Sequence, residues 1–211
     1  MMSNGIDPTV SRVEEHALEE SPLDLIYAPD EKIPVITVGN FPALGQLVAM
    51  RFIEWVQDHA GGVVALPTGK TPEHFIKWVK RLLNTWDDSA TQSLLDTHGI
   101  DGSRKPDMRS LHFAQIDEFY PIHPSQKNSF YYYVKKYYVE GLGLDPERAL
   151  LINCQEIGLS PGGSLESVWP DSVVDLSLRT RQATTELERS QRDVILRIDD
   201  WCQRREEQIH D

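Results

Sequence analysis

Four short apolar runs punctuate the chain, and the apolar residues between them recur at helical spacing. The runs are Val35-Ile36-Thr37-Val38, Gly62-Val63-Val64-Ala65-Leu66, Leu111-His112-Phe113-Ala114-Gln115-Ile116-Asp117 and Ala149-Leu150-Leu151-Ile152-Asn153. Each is too short for a buried helix, and the first two are rich in valine, so all four read as strands. Gly39-Asn40 leads from the first run into an amphipathic helix carrying Leu44, Leu47, Val48, Met50, Phe52, Ile53 and Val56. From Pro72 to about Leu83, the spacing of Phe75, Ile76, Val79, Leu82 and Leu83 predicts a second helix. A third, rich in tyrosine, runs from Ser129 to about Val139. Continuous apolar runs alternating with helices predict parallel strands covered on both faces. The fold class is therefore α/β: an open, mostly parallel sheet with helices on both faces, a three-layer Rossmann-like arrangement.

The remaining segments are polar. Residues 1–33, with Pro8, Pro22 and Pro29, read as a loosely held acidic arm in which Val13 and Ala17 mark one surface helix. Asp87 to Arg109 is a polar connection broken by Gly99, Gly102 and Pro106. After Cys154, a Gly-, Pro- and Ser-rich loop opens an insertion at about 158–191. Val173 to about Ile209 is expected to be largely helical, with Val194, Ile198, Trp201, Cys202 and Ile209 on one face. The organisation expected is an arm, 1–33, and one α/β domain, 34–211. A helix of this kind leads into a further parallel strand, whereas the sequence ends at Asp211, so the sheet is expected to be incomplete at its C-terminal side.

Charge narrows the ligands. With 33 acidic against 21 basic residues the formal charge is -12, which repels phosphate backbones, so no nucleic-acid partner is expected. A phosphorylated ligand must be small and held locally. Cys154 and Cys202 are the only cysteines and share no metal-like spacing with the histidines, so neither a disulfide framework nor a metal site is expected and both thiols read as inert or buried. The N-terminus has no basic, apolar leader pattern, and no run approaches the length of a membrane helix. The compartment expected is the cytoplasm.

Two places can carry chemistry. Leu66-Pro67-Thr68-Gly69-Lys70-Thr71-Pro72 lies where the second strand turns into its helix, with Thr71 suited to the N-cap and Pro72 to the first helical position. Backbone N–H groups and the helix dipole there make a phosphate seat, to which the Thr68 and Thr71 hydroxyls and Lys70 add donors around Gly69. The same pattern also fits a simple capped turn. A nucleotide P-loop does not fit, because its first glycine falls on Val64. The third run ends in Asp117-Glu118-Phe119-Tyr120, and ligands of open parallel sheets bind outside the carboxyl ends of strands. Asp117 is the candidate general base for a proton α to a carbonyl, with a solvated loop turn as the alternative, and Glu118 reads as structural. The tyrosines of the third helix read as core and as subunit contact in a homo-oligomer; His74 and His123 read as surface or structural residues.

Taken together, a strand, L-P-T-G-x-T-P opening a helix, a later strand ending in D-E-[FY], an Asn-Ser-Phe/Tyr-rich helix and a strand ending in L-L-I-N resemble the first half of the glucosamine-6-phosphate deaminases, over roughly residues 35–211. Their superfamily includes the 6-phosphogluconolactonases and sugar-phosphate-sensing regulators. Lactonases usually carry arginine after the Asp-Glu pair, where this chain has Phe119, which favours the deaminase branch. The resemblance implies an enzyme of amino-sugar metabolism that opens a hexosamine phosphate, removes the C2 proton with Asp117, and releases ammonia and a ketose phosphate. Thr68 to Thr71 would hold the phosphate, and no cofactor or metal would be needed. Three departures stand out: Lys70 replaces the usual glycine, residues 158–191 are inserted, and the family's D-G-H-x-x-F-N motif with the ring-opening histidine is not in these 211 residues. These residues alone are therefore expected to be an inactive fragment. A non-catalytic sugar-phosphate sensor and a lactonase-like hydrolase are the other two readings.

Overall fold

The computed structural model describes residues 11–20 and 36–210. In chain order its elements are α1 (Arg12–Glu19), α2 (Phe41–Asp58), β1 (Val63–Val64), α3 (Glu73–Asn84), α4 (Ser89–Thr97) and β2 (His112–Ala114). Then come α5 (Phe130–Val134), a π-helical turn (Lys135–Val139), α6 (Glu140–Leu142), β3 (Ala149–Leu150), α7 (Leu165–Val168) and α8 (Glu186–His210). The strands form one sheet in the order β1-β2-β3, parallel throughout, with Val63 opposite His112 and Phe113 opposite Ala149. The chain is α/β, a small parallel sheet among helices.

The strands are shorter than the apolar runs, for local reasons. Past β1 stands Pro67, which has no N–H to give to a ladder. Past β2, the buried Gln115 side chain replaces the backbone, its Oε1 accepting from Ile152 N at 2.9 Å. Coverage on both faces does not hold at this edge. Val64, Phe113 and Ala114 are buried, but Val63 and His112, at the start of their strands, are exposed. The first expected strand is also corrected: Ile36 to Val38 form no strand, and Val35 lies outside the described residues.

Helices α2 and α3 follow their apolar spacing and pack against each other. Asn40 caps α2, its side chain accepting from Ala43 N at 2.9 Å. Met50, Phe52, Ile53 and Val56 of α2 and Phe75, Ile76, Val79 and Leu82 of α3 enter the main core. The two helices approach at Gly45, where a Cβ would lie 2.4 Å from that of His74. A larger residue at position 45 would force them apart, which gives His74 a packing role.

Two regions read as polar are more ordered than their composition implies. In α1 Val13 is wholly buried, and the buried Glu54 carboxylate on α2 accepts from Ser11 Oγ at 2.7 Å and Arg12 N at 2.8 Å. Residues 11–20 are therefore docked on the core and are not a loose arm. The rest of residues 1–33 lies outside the described residues. The connection from Asp87 to Arg109 contains α4, whose Leu95 is buried, and Trp86 Nε1 donates to Gly102 O at 2.8 Å.

A second cluster of buried side chains joins Ile122, Cys154, Leu165, Val168, Trp169 and Leu178 to Val194 and Ile195 of α8. Half of these side chains come from the segment read as an insertion. The long helix expected from Val173 begins only at Glu186, preceded by a 3-10 turn at Leu176–Arg179. Asp175 accounts for this difference: its carboxylate accepts from Ser177 N and Oγ and pairs with Arg181 at 2.7 Å, satisfying the turn locally. On α8, Val194 and Ile195 are buried, whereas Cys202 and Ile209 are exposed. Partial burial and the neighbouring Asp199 raise the Cys202 thiol pKa. Cys154 is buried, its pKa pushed up to about 11 by desolvation. Among the described residues, no helix is long and apolar enough to cross a membrane.

Candidate functional site

The two motif loops leave neighbouring strands at the same edge of the sheet. Val64 pairs with Phe113 in a parallel register, and four residues along the chain beyond each stand Thr68 and Asp117. The carboxyl ends of parallel strands are where α/β folds seat ligands.

On the first loop, Gly69 has φ +94°, a conformation that β-carbon-bearing residues avoid. It turns the chain so that α3 starts at Glu73. Pro72, and not Thr71, takes the N-cap position, with no side chain capping the helix. Pro72 cannot donate, and its φ of -80° and ψ of 4° belong to the turn, which moves the helix start one residue past the expected place. Glu73 N donates to Lys70 O at 3.2 Å, closing the turn.

Two tyrosines pin this loop from the far side. Tyr138 donates its hydroxyl to Pro67 O at 2.5 Å, and Tyr133 donates to Gly69 O at 2.8 Å. Residues five apart on an α-helix are rotated by about 140° and cannot share a face. The π-helical turn at Lys135–Val139 relaxes this winding between the two rings. Burial raises both phenol pKa values, that of Tyr133 to about 12, so both stay protonated donors. Sequence reasoning assigned these rings to core and subunit contact and missed this role; a buried tyrosine's need for a partner was the available signal. Replacing Tyr138 with Phe removes only the hydroxyl and strands the Pro67 carbonyl. The expected loss of stability, read from urea unfolding, is about 1–2 kcal/mol.

On the second loop the two acidic residues part company. The Glu118 carboxylate accepts from Ser129 Oγ at 2.8 Å, Phe130 N at 3.0 Å, Tyr131 N at 2.7 Å and its neighbour Phe119 N at 2.9 Å. It thus caps the first turn of α5, where unpaired N–H groups and the helix dipole favour an anion. Ser129 completes the cap by accepting from Tyr132 N at 3.2 Å. Asp117, in contrast, is exposed. Its carbonyl accepts from Gln115 Nε2 at 2.8 Å, and the same Gln115 side chain holds Ile152 N of the next segment. Gln115 therefore fixes the backbone that presents Asp117, whose carboxylate has no hydrogen-bond or ion-pair partner among the described residues.

The candidate phosphate residues do not share one cavity. Gly69 and Lys70 line a cleft of about 670 Å³ beside α5, whereas Thr71 lines an apolar groove of about 230 Å³ against α2. Thr68 and Asp117 line neither. His74 sits at the α2–α3 contact and His123 is engaged with Ser125, Nδ1 to Oγ at 2.7 Å. Among the described residues, no group of three or more His, Cys, Asp or Glu side chains could hold a metal ion.

No family model matches the sequence, and no curated protein matches it. Among solved structures, a monomeric glucosamine-6-phosphate deaminase is similar at 19% identity and a TM-score of 0.42, over 56% of this chain. The chain spans 41% of that structure's length, and a likeness so partial carries no functional argument.

Proposed function

We propose that residues 34–211 form a domain of the glucosamine-6-phosphate deaminase kind, a three-layer α/β unit that works in the cytoplasm. In this reading Thr68, Gly69, Lys70 and Thr71 hold the phosphate of a hexosamine phosphate, and Asp117 takes the C2 proton of its open-chain form. The observation that carries the reading is the parallel register, which releases both loops from one carboxyl edge of the sheet. A ligand bound across that edge meets a glycine turn opening a helix on one side and an exposed carboxylate on the other. Proton abstraction needs a base with a free carboxylate, and of the acidic pair only Asp117 is free, Glu118 being spent on the cap of α5. The substrate's own carbonyl supports the enediol-like intermediate, and the chain contributes position and base.

Calorimetric titration with glucosamine 6-phosphate tests the phosphate seat. Binding is expected, with unphosphorylated glucosamine weaker by about tenfold or more, since charge-assisted hydrogen bonds contribute about 1.5–3 kcal/mol each. Thr68→Ala combined with Thr71→Ala should remove most of that difference. Equal affinity for the two sugars would overturn the assignment of the loop.

A further inference from the structure

In a chain of formal charge -12, the cleft beside α5 runs against the trend. It is lined by Lys70, Lys77, Lys80, Lys127 and Lys136, with Glu73 as its one carboxylate, a formal lining charge of +4. Glu73 is already paired with Lys77 at 2.5 Å. Lys136 lies over the rings of Tyr132 and Tyr137, 5.5 and 5.4 Å from their centroids. Lys70, Lys80 and Lys127 have no ion-pair partner among the described residues. Like charges gathered in a concave surface focus a positive potential that favours a multivalent anion.

We propose that this cleft binds a nucleoside di- or triphosphate, with Lys70, Lys80 and Lys127 on the phosphates and the rings of Tyr132 and Tyr137 against the base. Charge matching favours this class, because a monophosphate carries about two negative charges and leaves half the lining unmatched. The aromatic lining favours a flat, polarisable group over a bare inorganic anion, since base and tyrosine stack. The volume, about 670 Å³, lies in the range of small-ligand sites. The cleft adjoins the proposed hexosamine phosphate seat and shares Gly69 and Lys70 with it, but Thr68 and Asp117 do not line it, and it meets the loop from the side where Tyr133 holds Gly69 O. Lys70 borders both, so an occupant of the cleft would bear directly on the loop that holds the sugar phosphate.

The test is calorimetry on the 211-residue chain in magnesium-free buffer at about 0.1 M salt, where surface charge is partly screened. The probes are ADP, ATP, AMP and pyrophosphate. ADP and ATP are expected to bind at least about tenfold tighter than AMP, and Lys80→Ala with Lys127→Ala to weaken ADP by a similar factor. Tyr137→Ala should weaken ADP and leave pyrophosphate unchanged. The double lysine variant should bind glucosamine 6-phosphate as the parent does, which separates failure of this site from failure of the sugar-phosphate seat. Affinities that ignore both lysines, or no ADP binding at millimolar concentration, would overturn the proposal. Pyrophosphate binding as tightly as ADP, with Tyr137→Ala affecting neither, would overturn its nucleoside part.

Discussion

Asp117→Asn is expected to lower solvent hydrogen exchange at C2 of glucosamine 6-phosphate by about a hundredfold or more, the usual contribution of a positioned general base. This exchange reports proton abstraction alone. It needs no ring-opening catalyst, because some open-chain sugar is always present in solution, so the 211-residue chain suffices. Asparagine keeps the size and polarity of the side chain, and the Gln115 contact to the residue 117 carbonyl is made to the backbone, so the loop should stay in place. Because Asp117 is exposed, the substitution should change stability by no more than about 0.5 kcal/mol. Glu118→Ala provides the contrast. It strands the Ser129 hydroxyl and the N–H groups of Phe130 and Tyr131, and should cost about 2–4 kcal/mol. If Asp117→Asn leaves C2 exchange unchanged while glucosamine 6-phosphate still binds, the base lies elsewhere.

The structural part played by Glu118 was legible in the sequence, as were the main helices. The helices carrying Phe75, Ile76, Val79 and Leu82 and the tyrosines declare themselves by spacing, because a buried helical face repeats where side chains meet the core. That the strands run parallel followed from the alternation of helices with apolar runs. Helix α4 was not legible: in SATQSLLDT only Leu94 and Leu95 are large and apolar, too few to show a period. The docking of α1 was hidden for a different reason, since it depends on Glu54, a buried carboxylate that composition treats as surface. Asp117 and Thr68 could be placed at neighbouring strand ends, but the division of Gly69, Lys70 and Thr71 between two cavities could not. That division depends on which way each residue of one tight turn faces, which spacing along the chain does not encode. The lysines of the cleft are scattered from position 70 to 136, and only the packing of α3 and α6 beside the π-helical turn gathers them.

The largest expected effect on stability comes from Trp169, at the centre of the second core and 2% exposed. Its ring meets Tyr120 edge-on, centroids 6.2 Å apart, and its Nε1 donates to the Tyr120 hydroxyl at 3.3 Å. Around it lie Leu165, Val168, Leu178, Val194 and Ile195, so Trp169→Ala opens a cavity in a cluster with few other large side chains. The expected cost is about 3–5 kcal/mol. For a chain of this size, that is a fall in melting temperature of about 6–20 °C. The loss should be local first. Amide exchange should accelerate through α7 and the first half of α8, which share the cluster with Trp169, before it does so in α2 and α3, whose side chains belong to the main core. Tyr120 lies three residues beyond Asp117 on the same loop. Once its ring loses Trp169, C2 exchange should therefore fall together with the protection of the second core. Uniform acceleration across both cores would mean that they unfold as one unit, and an unchanged melting temperature would mean that residues 158–191 do not hold the Asp117 loop at all.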